Sequence, residues 1–228
     1  MKAIILAAGM GSRFGSLTKN NHKSLIKVGN SSILQRLISQ LEKYGVKDIN
    51  IICGHQKKKI DKKFTDYKTF FYPNYKITNN LHTLYYFKKL LDQDCIISFA
   101  DIILHETILQ DLVKSNKNIT LSIDRSMSRK GTMKIDIKKK KLVYLGNNPK
   151  INSGNYIGIM KIKKRMIKKF ISAMKKIKNK SNNQYFTEAL NYLIDTESIK
   201  MNYRDVKKKF WIEIDNFADL KMAKKRIK

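Results

Sequence analysis

The chain has 228 residues, with 48 lysines and arginines against 18 acidic residues and a formal net charge of +30. That length can bury a full core as one α/β domain, and no run approaches the roughly 18 consecutive apolar residues of a membrane-spanning helix. The charge invites a nucleic-acid reading, yet only seven of the basic residues are arginine, and the 41 lysines are scattered over nearly every predicted helix. Ile and Asn are abundant beside Lys, which reads as compositional drift and makes most lysines solvated faces. Weak polyanion binding or steering of anionic substrates is the remaining use. The N-terminus starts as a strand with no signal-peptide pattern, and Cys53 and Cys95 sit in apolar strand-like runs, as buried thiols in a reducing cytosol do. A cytoplasmic protein is expected.

The first element is an apolar strand, Lys2 to Leu6, that runs into Ala7-Ala8-Gly9-Met10-Gly11-Ser12-Arg13. Small residues let the backbone approach a ligand, and exposed N–H groups in such a loop can cradle phosphate. Arg13 and Lys23 bring positive charge to the same edge. Two other phosphate motifs are excluded. In a P-loop, Lys follows the second glycine at a fixed spacing, but here Gly15 comes one residue late and Ser16 follows it. In a dinucleotide fingerprint Phe14 would have to be glycine, and no acid follows at the ribose-binding distance.

Ser31-Ser32 can cap a helix whose apolar residues run from Ile33 to Tyr44, and Gly45 ends it. A buried strand (46–53), a turn at Gly54-His55, a basic helix (57–64) and a strand (69–72) follow. A helix then begins near Asn79 or Asn80, either of which can cap it. The run 94–100 is a buried strand ending at Asp101. In an open α/β sheet ligands bind beyond the carboxyl ends of strands, and an acid there is costly unless it has a job or reaches solvent. The alternative is a cap for a helix over 102–114. Strands follow at 119–123 and in a hairpin, 133–137 with 141–145, whose tip is Lys138–Lys140. The loop 126–131 is expected to be mobile over the site, with Arg125, Arg129 and Lys130 available to an anionic substrate. A strand (154–160), an amphipathic helix (163–178), a helix (185–194) and a strand (199–203) come next. The segment Phe210-Trp-Ile-Glu-Ile-Asp215 is again a strand ending in an acid before the last helix, and Glu213 alternates with Asp215 and should share its face.

Leu6-Ala-Ala-Gly-Met-Gly-Ser-Arg13 with His22-Lys23-Ser24-Leu25 resembles the N-terminal signature of nucleotidyltransferases with a GT-A-like fold. These include sugar-1-phosphate nucleotidylyltransferases and bacterial choline-phosphate cytidylyltransferases. Asp101, the Thr78-Asn79-Asn80 segment, Gly154-Asn-Tyr-Ile-Gly158 and Trp211-Ile-Glu-Ile-Asp-Asn-Phe-Ala-Asp-Leu220 resemble later landmarks. His22 stands where the family usually has Pro, a change expected to loosen the loop, and Asn155 replaces a usual acid. The resemblance implies a three-layer α/β/α fold with a mixed, mostly parallel sheet. It implies one nucleotidyltransferase domain over 1–228, with 118–160 as a strand-rich insertion on the acceptor side.

The chemistry implied is Mg²⁺-dependent transfer of CMP from CTP to a small phosphorylated alcohol or amine such as phosphocholine, with release of pyrophosphate. Asp101 and Asp215 match the family's metal ligands and, with Arg13 and Lys23, form the implied catalytic set. Leu6, Ala7, Ala8, Gly9, Gly11, Ser12, Arg13, Lys23, Asn80 and Ala100 would meet the nucleotide; Asn80, Tyr156 and Glu213 would meet the acceptor. Tyr75, Tyr85, Tyr86, Tyr156, Tyr185, Phe186 and Trp211 are candidate faces for a quaternary ammonium. The alternatives are a sugar-1-phosphate nucleotidylyltransferase using UTP, GTP or dTTP, and an inactive, basic nucleic-acid-binding protein. Neither a membrane nor nucleic acid is an expected partner; a homodimer is admitted.

Overall fold

Alternation along the first strand sets the architecture. In β1 (Lys2–Ala7), Ala3, Ile5 and Ala7 face one side of the sheet, Ile4 and Leu6 the other, and all five are buried. A strand covered on both faces belongs at the centre of a layered α/β sheet. The computed structural model describes residues 1–227; Lys228 lies outside them. In chain order, α1 (Ile33–Lys43) leads to β2 (Asp48–Cys53), α2 (Lys57–Lys63) to β3 (Lys68–Phe71), and α3 (Asn80–Tyr86) to β4 (Cys95–Phe99). Then come β5 (Ile102–Leu104), α4 (Glu106–Val113), β6 (Ile119–Asp124), β7 (Lys134–Lys138), β8 (Lys141–Gly146) and β9 (Gly154–Ile162). The order closes with α5 (Lys164–Ile177), α6 (Phe186–Glu197), β10 (Asn202–Asp205), β11 (Trp211–Glu213) and α7 (Phe217–Arg226).

The nine-stranded sheet runs β8-β7-β9-β4-β1-β2-β3, with β6 also paired to β9 and β10 to β6. Strands β3, β2, β1 and β4 are parallel, and β9 joins β4 antiparallel, so the sheet is mixed. Helices α3, α5 and α6 cover the face carrying Ile4 and Leu6; α1, α2 and α4 cover the other. This is a three-layer α/β/α fold. Helix α1 illustrates the energetics: Ser32 accepts a hydrogen bond from Gln35 N–H at 3.3 Å, and Leu34, Leu37, Ile38 and Leu41 are buried at helical spacing. Each such side chain contributes about 1.5–3 kcal/mol of burial, before the entropy of ordering it.

Two boundaries depart from the sequence reading. Residues Ile102–Leu104 form a strand, not the first turn of a helix over 102–114, because they pair antiparallel with Trp211–Glu213. Helix α4 therefore starts at Glu106, with His105 as its cap. The strand expected at 199–203 lies at Asn202–Asp205, where it runs parallel to β6. The β5/β11 ribbon buries Ile103, Ile212 and Ile214 in a small third core with Phe14, Val28, Ile33, Leu220 and Ala223. In β9 the pairing with β6 is irregular between Tyr156 and Met160. Gly158 sits in that stretch at φ +82°, where a Cβ would lie 2.8 Å from the Phe99 ring, so only glycine lets Phe99 pack there. Among the described residues no helix is long and apolar enough to cross a membrane.

Candidate active site

The site begins where β1 ends. Gly11 adopts φ +63°, and a Cβ there would stand 3.1 Å from Lys23 Cβ and 3.2 Å from Thr18 Cγ2. The glycine thus serves both the turn and the close seat of Lys23. Thr18 Oγ1 donates to Gly11 O at 2.8 Å, and His55 Nε2 lies 2.9 Å from Thr18 O, so the loop is pinned from outside as well. Lys23 opens a short 3₁₀ turn, Lys23–Leu25, capped by His22. The loosening expected from His22 in place of Pro does not occur. The ring is 3 % exposed, its Nε2 lies 2.8 Å from Ala7 O, and Ser24 N–H donates to its Nδ1 at 3.1 Å.

The acids arrive through the ribbon. Asp101 follows β4, and its carbonyl accepts from Ile214 N–H at 2.9 Å, one step beyond the Glu213–Ile102 pair. That register sets Asp101 beside Glu213 and Asp215, and one oxygen from each of the three carboxylates lies within 4.8 Å of the others. Asp215 is fixed from behind: Asp219 Oδ2 accepts from the N–H groups of Asp215 (3.0 Å) and Asn216 (3.2 Å), while Asn216 caps α7. Lys23 Nζ bridges Asp101 Oδ2 at 2.8 Å and Asp215 Oδ1 at 2.7 Å. Arg13 reaches Asp215 Oδ2 at 3.5 Å from a largely solvent-exposed position.

Burial alone would lower the Lys23 ammonium; Asp101 and then Asp215 outweigh it and hold the pKa above its ordinary value. Burial, reinforced by Asp101 and Asp215, pushes the Glu213 carboxyl well above the usual range. Asp101 Oδ1 is buried without a hydrogen-bond partner. The ammonium of Lys23 between Asp101 and Asp215 shows that this space favours positive charge, and two carboxylates with an orphan oxygen on Asp101, beside Glu213, fit a divalent cation such as Mg²⁺.

Two adjoining chambers open from this cluster and share Gly9, Asn79, Phe99, Tyr185 and Glu213. One, of about 360 Å³, is lined by Gly11, Ser12, Arg13, Lys23, Asp215, Tyr156, Gly131, Met133 and Asn147. The other, of about 220 Å³, is lined by Leu6, Ala8, Tyr75, Thr78, Asn80, Thr83 and Asp101. Ala7 and Ala100 line neither: both are core residues, Ala7 O facing His22 and Ala100 N–H donating to Leu6 O at 3.2 Å. Asn79, not Asn80, caps α3; Asn80 Oδ1 accepts from Phe186 N–H at 2.9 Å and ties α3 to α6. The Tyr156 hydroxyl is buried without a partner, so the ring alone forms the wall.

Other aromatic candidates are spent elsewhere. Trp211 is buried and donates to Asp124 Oδ2 at 2.7 Å, Phe186 is core, and Tyr85 and Tyr86 line a separate surface hollow with Lys88 and Lys178. Arg129 is likewise not free for a substrate: it pairs with Asp219 Oδ1 at 3.1 Å, over the Trp211 ring. Asn155, where an acid is usual, holds that loop. Its Oδ1 accepts from Arg129 N–H (3.0 Å) and Lys134 Nζ (2.7 Å), and its Nδ2 donates to Met127 O at 2.6 Å. Only an amide can both donate and accept in this way. Phe99 was missed in the sequence, although its place at the carboxyl end of a central strand is a usable signal.

Comparison with known proteins decides the affiliation. A sequence profile of the nucleotidyl transferase family matches residues 2–228. The chain belongs to this family. It is 31% identical over 135 residues to the CTP:phosphoglutamine cytidylyltransferase of Campylobacter jejuni, covering 55% of this chain and 53% of that protein. It is 33% identical over 117 residues to the choline-phosphate cytidylyltransferase of Streptococcus pneumoniae, covering 50% and 51% respectively. The chain thus spans about half the length of the curated relatives it matches. Among solved structures of similar fold is the CTP:phosphocholine cytidylyltransferase from Streptococcus pneumoniae, at TM-score 0.81 and 22% identity over 100% of this chain and 99% of that one. The inositol-1-phosphate CTP transferase from T. maritima aligns at TM-score 0.82 and 16% identity, covering 100% and 97%.

Proposed function

We propose that this nucleotidyl transferase family member is a Mg²⁺-dependent cytidylyltransferase that moves CMP from CTP to a small phosphorylated alcohol or amine of the phosphocholine kind. The observation that carries the reading is the convergence of Asp101, Glu213 and Asp215 beside a glycine loop and Lys23. Asp101 and Asp215 would hold the ion, with Glu213 alongside; when bound, it supplies charge neutralisation and polarises phosphate oxygens. The loop from Gly9 to Arg13 offers backbone N–H groups and a guanidinium to a triphosphate, and Lys23 adds a fixed ammonium. An acceptor phosphate is largely ionised at neutral pH, so no general base is needed. Its oxygen attacks the α-phosphorus; the new P–O bond forms as the bond to the bridging oxygen breaks, and pyrophosphate leaves with that electron pair. The protein contributes positioning and charge stabilisation.

Phe99, Tyr156 and Tyr185 line the larger chamber and suit a cationic or alcohol tail, and Gly131, Met133, Asn147 and Tyr156 from the same wall support reading the strands between 118 and 160 as the acceptor side. Similarity to cytidylyltransferases supports CTP over other nucleotides. The test is pyrophosphate release across the four common NTPs plus dTTP, paired with phosphocholine, phosphoethanolamine, phosphoglutamine, inositol phosphate and sugar 1-phosphates. CTP with one of the non-sugar acceptors is expected to dominate. Dominant turnover of a sugar 1-phosphate with UTP, GTP or dTTP overturns the acceptor and base assignments; no turnover with any pair overturns the activity.

A further inference from the structure

We infer that His22 is a positioning residue for Lys23: its ring ties the turn that carries the lysine to the end of β1 and so aims the ammonium at Asp101 and Asp215. The inference rests on the reading of Lys23 as a phosphate contact of the proposed nucleotide site. Its physical basis is a forced tautomer. Ser24 N–H donates to Nδ1 at 3.1 Å, so Nδ1 is an acceptor and carries no proton. The ring proton is then on Nε2, which donates to Ala7 O at 2.8 Å. The Ser24 hydroxyl, 2.8 Å from Nδ1, completes the shell of the buried ring. One imidazole therefore joins the last residue of β1 to the first turn after Lys23. From the opposite side the lysine's Cβ is seated against Gly11.

Proline at this position would do less. The backbone of His22 (φ −85°, ψ 136°) is near the range proline allows, but its N–H accepts no substitute: it donates to Asn21 Oδ1 at 2.9 Å. Proline would also lack both ring hydrogen bonds. The charged or titratable groups facing the ring are His55, Asp101 and Lys23 itself. A neutral ring spares Lys23 a second adjacent cation, and the tie to Ala7 O holds only while Nε2 donates.

The test is lysine acylation footprinting by mass spectrometry of wild type, His22→Ala and His22→Gln, with the buried lysines Lys2 and Lys161 as internal controls. The glutamine amide can replace the Nε2–H donor but not the Nδ1 acceptor. In His22→Ala, which loses the ring's bonds to both Ala7 and Ser24, Lys23 labelling and the KM for CTP should each rise at least about tenfold. The acceptor KM and the control lysines should hold, and His22→Gln should recover most of the loss. Wild-type labelling of Lys23 in His22→Ala, or labelling of Lys2 and Lys161 rising in step with it, overturns the inference. Should His22→Ala not fold, His22→Gln and His22→Asn decide: Lys23 should stay protected in the first and become exposed in the second, and the reverse overturns it. Footprinting needs no substrate, so a wild type that transfers no nucleotide sinks the proposed function while the Lys23 labelling still judges His22.

Discussion

Replacing Asp101 with Asn separates what the acid cluster does for the fold from what it does for chemistry. The substitution keeps shape and removes one charge. Asp101 Oδ2 accepts from Lys23 at 2.8 Å, and losing a charged hydrogen bond costs about 1.5–3 kcal/mol. Against that, Asp101 and Asp215 are like charges within 4.8 Å, a repulsion of roughly 3 kcal/mol at an effective dielectric constant near 20. The two terms nearly cancel, the weakened Lys23 contact being offset by the relief of like-charge repulsion. Stability should therefore stay within about 1–2 kcal/mol of wild type, a shift of only a few degrees in Tm for a chain of this size. Transfer from CTP should fall by about 10²–10³, the usual cost of one lost electrostatic contact to the reacting groups. Differential scanning fluorimetry with and without Mg²⁺ and CTP gives a second reading. A ligand at about 100 times its Kd adds about 2.7 kcal/mol, and Asp101→Asn should lose most of that Tm rise. An Asp101→Asn protein that transfers at the wild-type rate, or that gains the full Tm rise, refutes the assignment of Asp101 to the site.

Three further outcomes are expected. Gly11→Ala puts an L-residue at φ +63° and presses on Lys23 and Thr18, so it should cost about 1–2 kcal/mol in backbone terms alone and raise the KM for CTP; unchanged kinetics would contradict the tight seat of Lys23. Tyr156→Phe deletes a buried hydroxyl without a partner, so stability should rise by up to about 1 kcal/mol with the acceptor KM unchanged; a large KM increase would show that the hydroxyl reaches the acceptor. Burial, ahead of its other neighbours, pushes the His22 imidazole from 6.5 down to about 4. Between those values the unfolded chain binds more protons than the native one, so this contribution is full above pH 6.5 and is lost as pH falls towards 4, by up to about 3 kcal/mol. Urea midpoints across that window should fall in wild type and flatten in His22→Gln; an equal slope in both would assign the effect to other groups.

The parts of the fold that local pattern controls were legible in the sequence. The alternation in Lys2–Leu6, the helical spacing from Ile33 to Leu41 and the acids closing the runs at Asp101 and Asp215 each follow from one element's own residues. What escaped depends on pairing between distant segments. Ile102–Leu104 reads as the start of a helix because its partner, Trp211–Glu213, lies far along the chain. Arg129 reads as a free cation because Asp219, which engages it, comes from a helix cap that pattern alone does not link to the loop. His22 reads as a loss of rigidity because a side-chain tie to Ala7 O has no periodicity to announce it. In each case the missing information was a contact between segments apart in the chain: a strand pairing, an ion pair and a side-chain hydrogen bond.

The β5/β11 ribbon also makes the site a late event in the life of the chain. The glycine loop and Lys23 are synthesised before the ribbon, and Asp215 follows 192 positions after Lys23. Strands β1, β2 and β4, which frame the loop, all precede the ribbon's second strand in the chain. Until Ile214 N–H finds Asp101 O, the loop faces one carboxylate, and Lys23 lacks its second partner. The three-carboxylate cluster therefore exists only once β11 has docked on β5. Protection of Lys23 from acylation is thus expected to follow the docking of β11, read against amide protection in β1.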